Sequence, residues 1–341
     1  MANVTQPAVH TITPKSILFI GGSGIISHAS VARAVALGHN VTLLNRGQSS
    51  LRPMPDVETL AADVFDDAAV DGALGGREFD VVAQFRAFTP DHVARDIARF
   101  SGRTGQYVFI SSASAYQKPV NRLPITESTP LVNPFWQYSR DKIACEDLLV
   151  AAVRDQAFPA TIVRPSHTYD ATLIPTMGGW TDVARMRAGK SVIVHGDGTT
   201  QWTLTHTRDF AVGFVGLLGH PLAVGDIFQI TGTHAPTWDH IYRWLAAAAG
   251  VREPDLVHVA SETIARVLPE EGPPLLGDKA HNVTFDCAKV GALVPEFGTT
   301  ITYDVGAVEQ VVWYDSHPDQ QRINPELDAG FDRLAAHARA L

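Results

Sequence analysis

The sequence predicts an α/β protein, a doubly wound parallel sheet with a smaller C-terminal domain, on the strength of three stretches. The first is a strand, glycine turn and helix near the N-terminus: the apolar run Ser16 to Ile20, then Gly21-Gly22-Ser23-Gly24-Ile25-Ile26-Ser27, then the helically spaced Val31 to Gly38. The second is a β-α rhythm that persists as far as residue 163. The third is Tyr138-Ser139-Arg140-Asp141-Lys142, whose Tyr and Lys are one helical turn apart on the same face.

Glycines let a backbone turn tightly against a pyrophosphate, and the free N–H groups of the following helix stabilise its charge. Gly21, Gly22, Ser23, Gly24, Ile25 and Ile26 are therefore candidate dinucleotide contacts, with Ser27 where a third glycine is usual. The second strand, Val41 to Leu44, ends at Asn45-Arg46-Gly47. An acid there would hold the ribose hydroxyls of NAD, whereas an arginine can pair with a 2′-phosphate. Asn45 and Arg46 favour NADP, with NAD as second choice, although Arg46 can equally stack on adenine or face water.

A strand from Val57 to Ala61 places Asp63 and Val64 near an adenine edge, and a helix covers Asp67 to Leu74. A further unit spans Phe79 to Gln84 and Asp91 to Phe100. The strand Gln106 to Ile110 then runs into Ser111-Ser112-Ala113-Ser114-Ala115-Tyr116, at the carboxyl edge where such sheets bind ligands. The Tyr138 helix is expected from Pro134, ahead of the strand Ala160 to Val163.

Composition narrows the partners. A chain of 341 residues, 45% hydrophobic and 18% charged, can bury a sizeable core. Its net charge of -9 disfavours nucleic acid and anionic membranes, and no apolar run is long enough to span a bilayer. The two cysteines, Cys145 and Cys287, suit a reducing cytoplasm, and the fourteen histidines lack a metal-ligand spacing.

The glycine turn, the serine cluster and Tyr138-x-x-x-Lys142, in that order, resemble the extended short-chain dehydrogenase/reductases, the NAD(P)-dependent epimerase/dehydratase family, and within it the atypical branch. The resemblance runs over residues 15 to 315 and includes Pro124 to Glu127, Arg164-Pro165 through Tyr169, and Thr302 to Tyr314. It implies a Rossmann-type sheet with Tyr138 as general acid/base. Lys142 would lower the Tyr138 pKa and hold the nicotinamide ribose. Ser112, four residues before Tyr116, would be the catalytic hydroxyl, with Ser114 in reserve. Arg164 and Pro165 are expected at the cofactor, and Glu127, Ser114, His167 and Trp202 at the substrate.

Departures from the family narrow the reaction. Dehydratases carry Asp-Glu where this chain has Ala113 and Ser114, and decarboxylases use a glutamate there, so epimerase or carbonyl reductase is expected. Trp202 stands where many nucleotide-sugar enzymes have a pyrophosphate-binding arginine, and His167 where they have asparagine. A nucleotide-sugar is thus disfavoured; Trp202 either stacks on the substrate or belongs to the core.

The expectation is an NAD(P)-dependent oxidoreductase or epimerase acting on a hydroxyl/carbonyl carbon of a sugar-like small molecule. Its rival is a non-catalytic relative that senses dinucleotide or binds RNA. Residues 1 to 14 read as a disordered tail, 15 to 165 as the dinucleotide domain with 205 to 232 returning to it, and 166 to 204 and 233 to 320 as the substrate domain. Residues 321 to 341 read as a terminal helix, packed on its own protomer or on a partner in a homodimer.

Overall fold

A computed structural model describes residues 13–47 and 53–340, so all but the end of the expected N-terminal tail lies outside the described residues. The β-α rhythm closes into one seven-stranded parallel sheet. In chain order its strands are β1 (Ser16–Ile20), β2 (Asn40–Asn45), β3 (Glu58–Ala61), β4 (Phe79–Gln84), β5 (Thr104–Ile110) and β6 (Ala160–Pro165). Between them run α1 (Ile25–Ala36), α2 (Asp67–Leu74), α3 (Pro90–Phe100) and α4 (Gln137–Gln156). Two three-residue to four-residue strands, β7 (His167–Tyr169) and β8 (Val192–His195), flank α5 (Trp180–Arg187), and β9 (Leu204–His206) follows. The chain then re-enters the sheet through α6 (Thr207–Leu217) and β10 (Ile227–Ile230), giving the order β10-β6-β5-β4-β1-β2-β3.

Alternation along the strands builds two apolar layers, as expected for a sheet covered on both faces. Ile17, Phe19, Val81, Ala83 and Val108 face α1 and α6, while Leu18, Ile20, Val82, Tyr107 and Phe109 face the side of α2, α3 and α4. Cys287 belongs to the first layer and Cys145 to the second, each a buried free thiol.

Most of the remaining chain builds apolar clusters with β7, β8 and β9 outside the sheet layers, while residues 287–294 return to pack on β10 and α6. The remaining chain comprises α7 (Trp238–Ala248), β11 (Leu256–Val259), α8 (Ser261–Val267), the short α9 (Gly272–Pro274), α10 (Ala288–Leu293), α11 (Tyr303–Ser316) and α12 (Pro325–Arg339). The terminal helix packs on its own protomer: Phe331 and Leu334 are buried, and Arg185 donates to Asp332 at 2.6 Å. Asn324 caps it, its Oδ1 accepting from the Glu326 and Leu327 amides. No helix among the described residues is long and apolar enough to cross a membrane.

One boundary differs from the sequence reading in a way that shapes the site. The Tyr138 helix begins at Gln137, not at Pro134. Asn133 Oδ1 accepts from the Phe135 and Trp136 amides, so these residues form a side-chain-closed turn instead of the first helical turn.

Candidate active site

Two clefts open along the carboxyl edge of the sheet. The first, about 380 Å³, is walled by Gly21, Ser23, Gly24, Asn45, Arg46, Asp63 and Val64, together with Phe65 and Arg86. Gly21 has φ +85°, and a Cβ there would sit 2.3 Å from Arg86 Cγ, so both backbone and space require glycine. Gly22 serves packing: its absent side chain lets the turn approach Leu43, whose Cδ2 would be 2.5 Å from a Cβ. Ser27 explains the missing third glycine. Its hydroxyl donates to the Gly21 carbonyl at 2.8 Å and accepts from the Gly24 amide at 2.9 Å, tying the turn to α1. The first turn of α1 carries no acid, leaving its N–H groups to an anion.

Arg86 was not singled out in the sequence. Its guanidinium lies over the Phe65 and Phe88 rings, 5.5 and 5.1 Å from their centroids, and shares the cleft with Arg46. Asn45 Oδ1 accepts from Gly47 N, and Asp63 Oδ1 from Phe65 N, so both side chains shape their own loops. A turn that a Cβ would fill, a helix start free of acids and two guanidiniums suit the pyrophosphate and adenosine half of a nicotinamide dinucleotide. Ile25 is not on the wall of either cleft, whereas Ile26 lines the second.

The second cleft, about 390 Å³, brings together residues that the sequence singled out: Ser112, Ser114, Tyr138, Lys142, Pro165, His167 and Trp202 all line it. Tyr138 is half-buried, its ring 4.9 Å from that of Trp136, and its phenol hydrogen-bonds with Ser112. Ser112 Oγ pairs with Ser114 Oγ at 2.9 Å, and Ser139 donates to Ser114 at 2.8 Å. Ser114 is buried and thus positions Ser112. Beneath the phenol, Lys142 Nζ donates to the Ala87 and Ile110 carbonyls at 2.7 and 2.8 Å. An ammonium has three N–H donors, so one is left for a ligand.

Electrostatics correct the sequence argument. Lys142 was expected to lower the Tyr138 pKa, but burial outweighs the Ser112 hydrogen bond and pushes Tyr138 up to about 12. The same burial pushes Lys142 down to about 8. The ammonium lies under the ring, 5.8 Å from its centroid, and not at the phenol oxygen.

Two expected contacts lie elsewhere. Arg164 is absent from both cleft walls; its guanidinium grips buried Glu146 at 2.5 Å and donates to the Glu127 carbonyl at 3.1 Å. Glu127 in turn uses Oε1 to accept from the Gln229 amide at 3.0 Å. Both tie the sheet edge to the loop before α4. Successive strand residues point to opposite faces, so Pro165 reaches the cleft while its neighbour Arg164 does not.

At the far wall, Trp202 is buried and stacks on Trp238 with centroids 5.5 Å apart, its ring edge-on to His167 at 6.3 Å. Burial, aided by Lys279, pushes His167 down to about 3, so the imidazole is neutral at physiological pH. Asp278 completes this wall. Nothing near it in the sequence announces it, because it reaches Tyr138 only through the folding of a segment some 140 residues downstream.

The comparisons with known proteins agree with this geometry. The model of the NAD dependent epimerase/dehydratase family matches residues 92–231. A chloroplast stem-loop binding protein of 41 kDa from Arabidopsis thaliana is 28% identical over 73% of this chain and 67% of its own. The 2′-dehydrokanamycin reductase of Streptomyces kanamyceticus is 27% identical over 87% of this chain and 83% of its own. In fold, an epimerase of Methanothermobacter thermautotrophicus superposes with a TM-score of 0.75 at 14% identity, covering 91% of this chain and 94% of its own. A UDP-glucose 4-epimerase of Bifidobacterium longum, solved with NAD+ and UDP, gives 0.70 at 20% identity, covering 89% and 99%. Residues 92–231 thus match the NAD dependent epimerase/dehydratase family, and the glycine turn and seven-stranded parallel sheet form a Rossmann-like fold shared with solved epimerases.

Proposed function

We propose that this protein is an NADP-dependent carbonyl reductase or epimerase acting at a hydroxyl/carbonyl carbon of a sugar-like small molecule. The observation that carries this reading is the hydrogen-bonded Tyr138 phenol and Ser112 hydroxyl above Lys142, in a cleft beside the glycine turn. When bound, the dinucleotide supplies the hydride. Gly21, Ser23, Gly24, Arg46 and Arg86 hold its phosphates and adenosine, and Lys142 and Pro165 its nicotinamide riboside. Tyr138 exchanges a proton with the substrate oxygen, and Ser112 orients that oxygen. The reductase among the relatives, matched over most of both chains, favours reduction over epimerisation.

Arg46 and Arg86 line one cleft and, among the described residues, neither guanidinium pairs with an acid. Arg46→Ala is expected to weaken NADPH binding about 10-fold or more while barely changing NADH, the loss of a charge-assisted contact to the 2′-phosphate. Arg86→Ala should weaken both, because it lies over the glycine turn that carries the pyrophosphate. Calorimetric titration of each variant with both cofactors checks this. NADH binding the wild type more tightly than NADPH would refute the NADP assignment.

A second reading, an RNA-binding relative without catalysis, is favoured by the stem-loop binding protein among the relatives. Titration with a stem-loop RNA decides it: binding that weakens steeply with salt and survives loss of Tyr138 would support it.

The pKa shifts give a pH profile with a definite sign. Carbonyl reduction requires a protonated phenol and a charged ammonium. With Tyr138 at about 12 and Lys142 at about 8, the rate is flat through neutral pH and falls as pH rises through about 8. Lys142→Arg, if active, moves the fall upward. A wild-type rate still climbing beyond pH ~9 would contradict the assignment of Lys142.

A further inference from the structure

The wall that carries Asp278 has no part in the proton relay, yet it is built against it. Leu275–Lys279 is a single π-helical turn, a rare geometry that recurs at functional sites. Asn133 Nδ2 clamps it to the relay, donating to the Gly277 carbonyl at 2.7 Å and to the Ser114 carbonyl at 2.9 Å. A Cβ on Gly277 would lie 2.8 Å from Trp136 Cβ, so only glycine lets this backbone rest against the entry to α4. The next residue, Asp278, thereby puts a carboxylate in the same cavity as Tyr138.

The charges around that carboxylate define what the cavity can take. The Lys118 side chain is fully buried and brings Nζ to 3.3 Å from Asp278 Oδ1; Lys279 and His281 also face it. Burial raises the Asp278 carboxyl above its ordinary pKa against the opposing pull of Lys118, Lys279 and His281, and the contact with Lys118 leaves its oxygens lone pairs to spare. Lys142, the ammonium among these lining residues, has one N–H to spare, and the proposed function gives it to the nicotinamide riboside. Lys142 holds two backbone carbonyls, His167 is neutral, and no arginine lines the cavity among the described residues. A phosphate or diphosphate needs a guanidinium, an ammonium or a set of N–H donors, and here it would meet a carboxylate. Hydroxyls donate to a carboxylate without bringing a charge of their own.

Building on the oxidoreductase reading above, we propose that Asp278 is the specificity residue of this cavity. It accepts hydroxyl hydrogens from an uncharged, phosphate-free polyhydroxylated ring whose reacting carbon lies at Tyr138, with the Trp136 and Trp202 indoles as apolar walls. The clamp through Asn133 holds Asp278 in register with the relay, so the ring's hydroxyls and its reacting oxygen are read together.

Binding tests this apart from catalysis. The full-length protein, loaded with NADPH, is titrated calorimetrically with methyl α-glucopyranoside, methyl α-galactopyranoside and UDP-glucose. The methyl glycosides carry no free carbonyl, so nothing turns over. At least one glycoside should bind wild type and Tyr138→Phe alike, and about 10-fold or more weaker to Asp278→Asn, the loss of hydrogen bonds to a charged acceptor. UDP-glucose should bind no more tightly than that glycoside. Tighter UDP-glucose binding, undiminished glycoside binding by Asp278→Asn, or no glycoside binding to wild type at the solubility limit would each overturn the proposal. Asp278→Asn counts as folded when it takes up NADPH as wild type does; otherwise Lys118→Met/Asp278→Asn, which removes both charges of the pair, replaces it. Turnover that survives Tyr138→Phe would defeat the catalytic reading and leave these binding results standing.

Discussion

Tyr138→Phe is expected to lower turnover by about 10²- to 10⁴-fold, the range that a positioned general acid contributes, while NADPH affinity stays unchanged. The substitution removes one oxygen and little else. The ring remains against Trp136 and above the Lys142 ammonium, so packing around α4 survives. Single-turnover reduction measured beside NADPH titration separates the two effects. Unchanged turnover would remove the phenol from the mechanism. Ser112→Ala should reduce turnover less, because on the proposed reading Ser112 only orients the substrate oxygen, and its loss leaves the Tyr138 phenol in place.

Glu146→Gln is expected to cost about 3 kcal/mol or more in folding stability, read as a lower urea midpoint. Glu146 and Arg164 are both buried, and the carboxylate also accepts from Ser111, so neutralising it leaves a guanidinium uncompensated in the interior. The double replacement Glu146→Leu/Arg164→Met should cost less than Glu146→Gln alone, since breaking a buried pair is worse than removing it. A Glu146→Gln midpoint equal to wild type would show that the ion pair contributes nothing net. This pair sits two helical turns beyond Tyr138 on α4 and joins that helix to β6, so part of the stability loss should appear as a poorer relay.

Strands and helices were legible in the sequence because two periodicities and a few glycines write them directly. β1, β4 and α2 were read to the residue, and Asp66, Gly75 and Asn324 mark helix ends chemically, whereas α1 starts at Ile25 ahead of the Val31 read for it and α4 at Gln137 instead of Pro134. That Tyr138, Lys142 and Ser112 share one cleft and the glycine turn lines another was legible for a related reason: their placement depends on spacing within one element or one turn. What eluded the sequence depends on closure of the chain in space. Arg164 was placed at the cofactor because it stands next to Pro165 at a strand's carboxyl end; which face it takes depends on Glu146, eighteen residues earlier. Arg86 follows a strand in an unremarkable Gln-Phe-Arg-Ala-Phe run, and only the fold lays it over Gly21. The direction of the Tyr138 shift was misread because two side chains on one helical face were treated as if in water. Desolvation decides the sign, and desolvation is a property of the whole cleft.

The Ser27 hydroxyl, bridging Gly21 O and Gly24 N, carries a thermodynamic consequence for cofactor exchange. A loop of three bare glycines loses much backbone freedom when a dinucleotide orders it, and that loss weakens binding. Here the serine has closed the loop beforehand, so little ordering remains for the ligand to impose. On the proposed reading, affinity then rests on the charged rim, where Arg46 and Arg86 would meet the phosphates. A preformed cradle with a charged rim would suit the exchanging coenzyme of the proposed reductase, its residence tuned by ionic strength more than by loop motion.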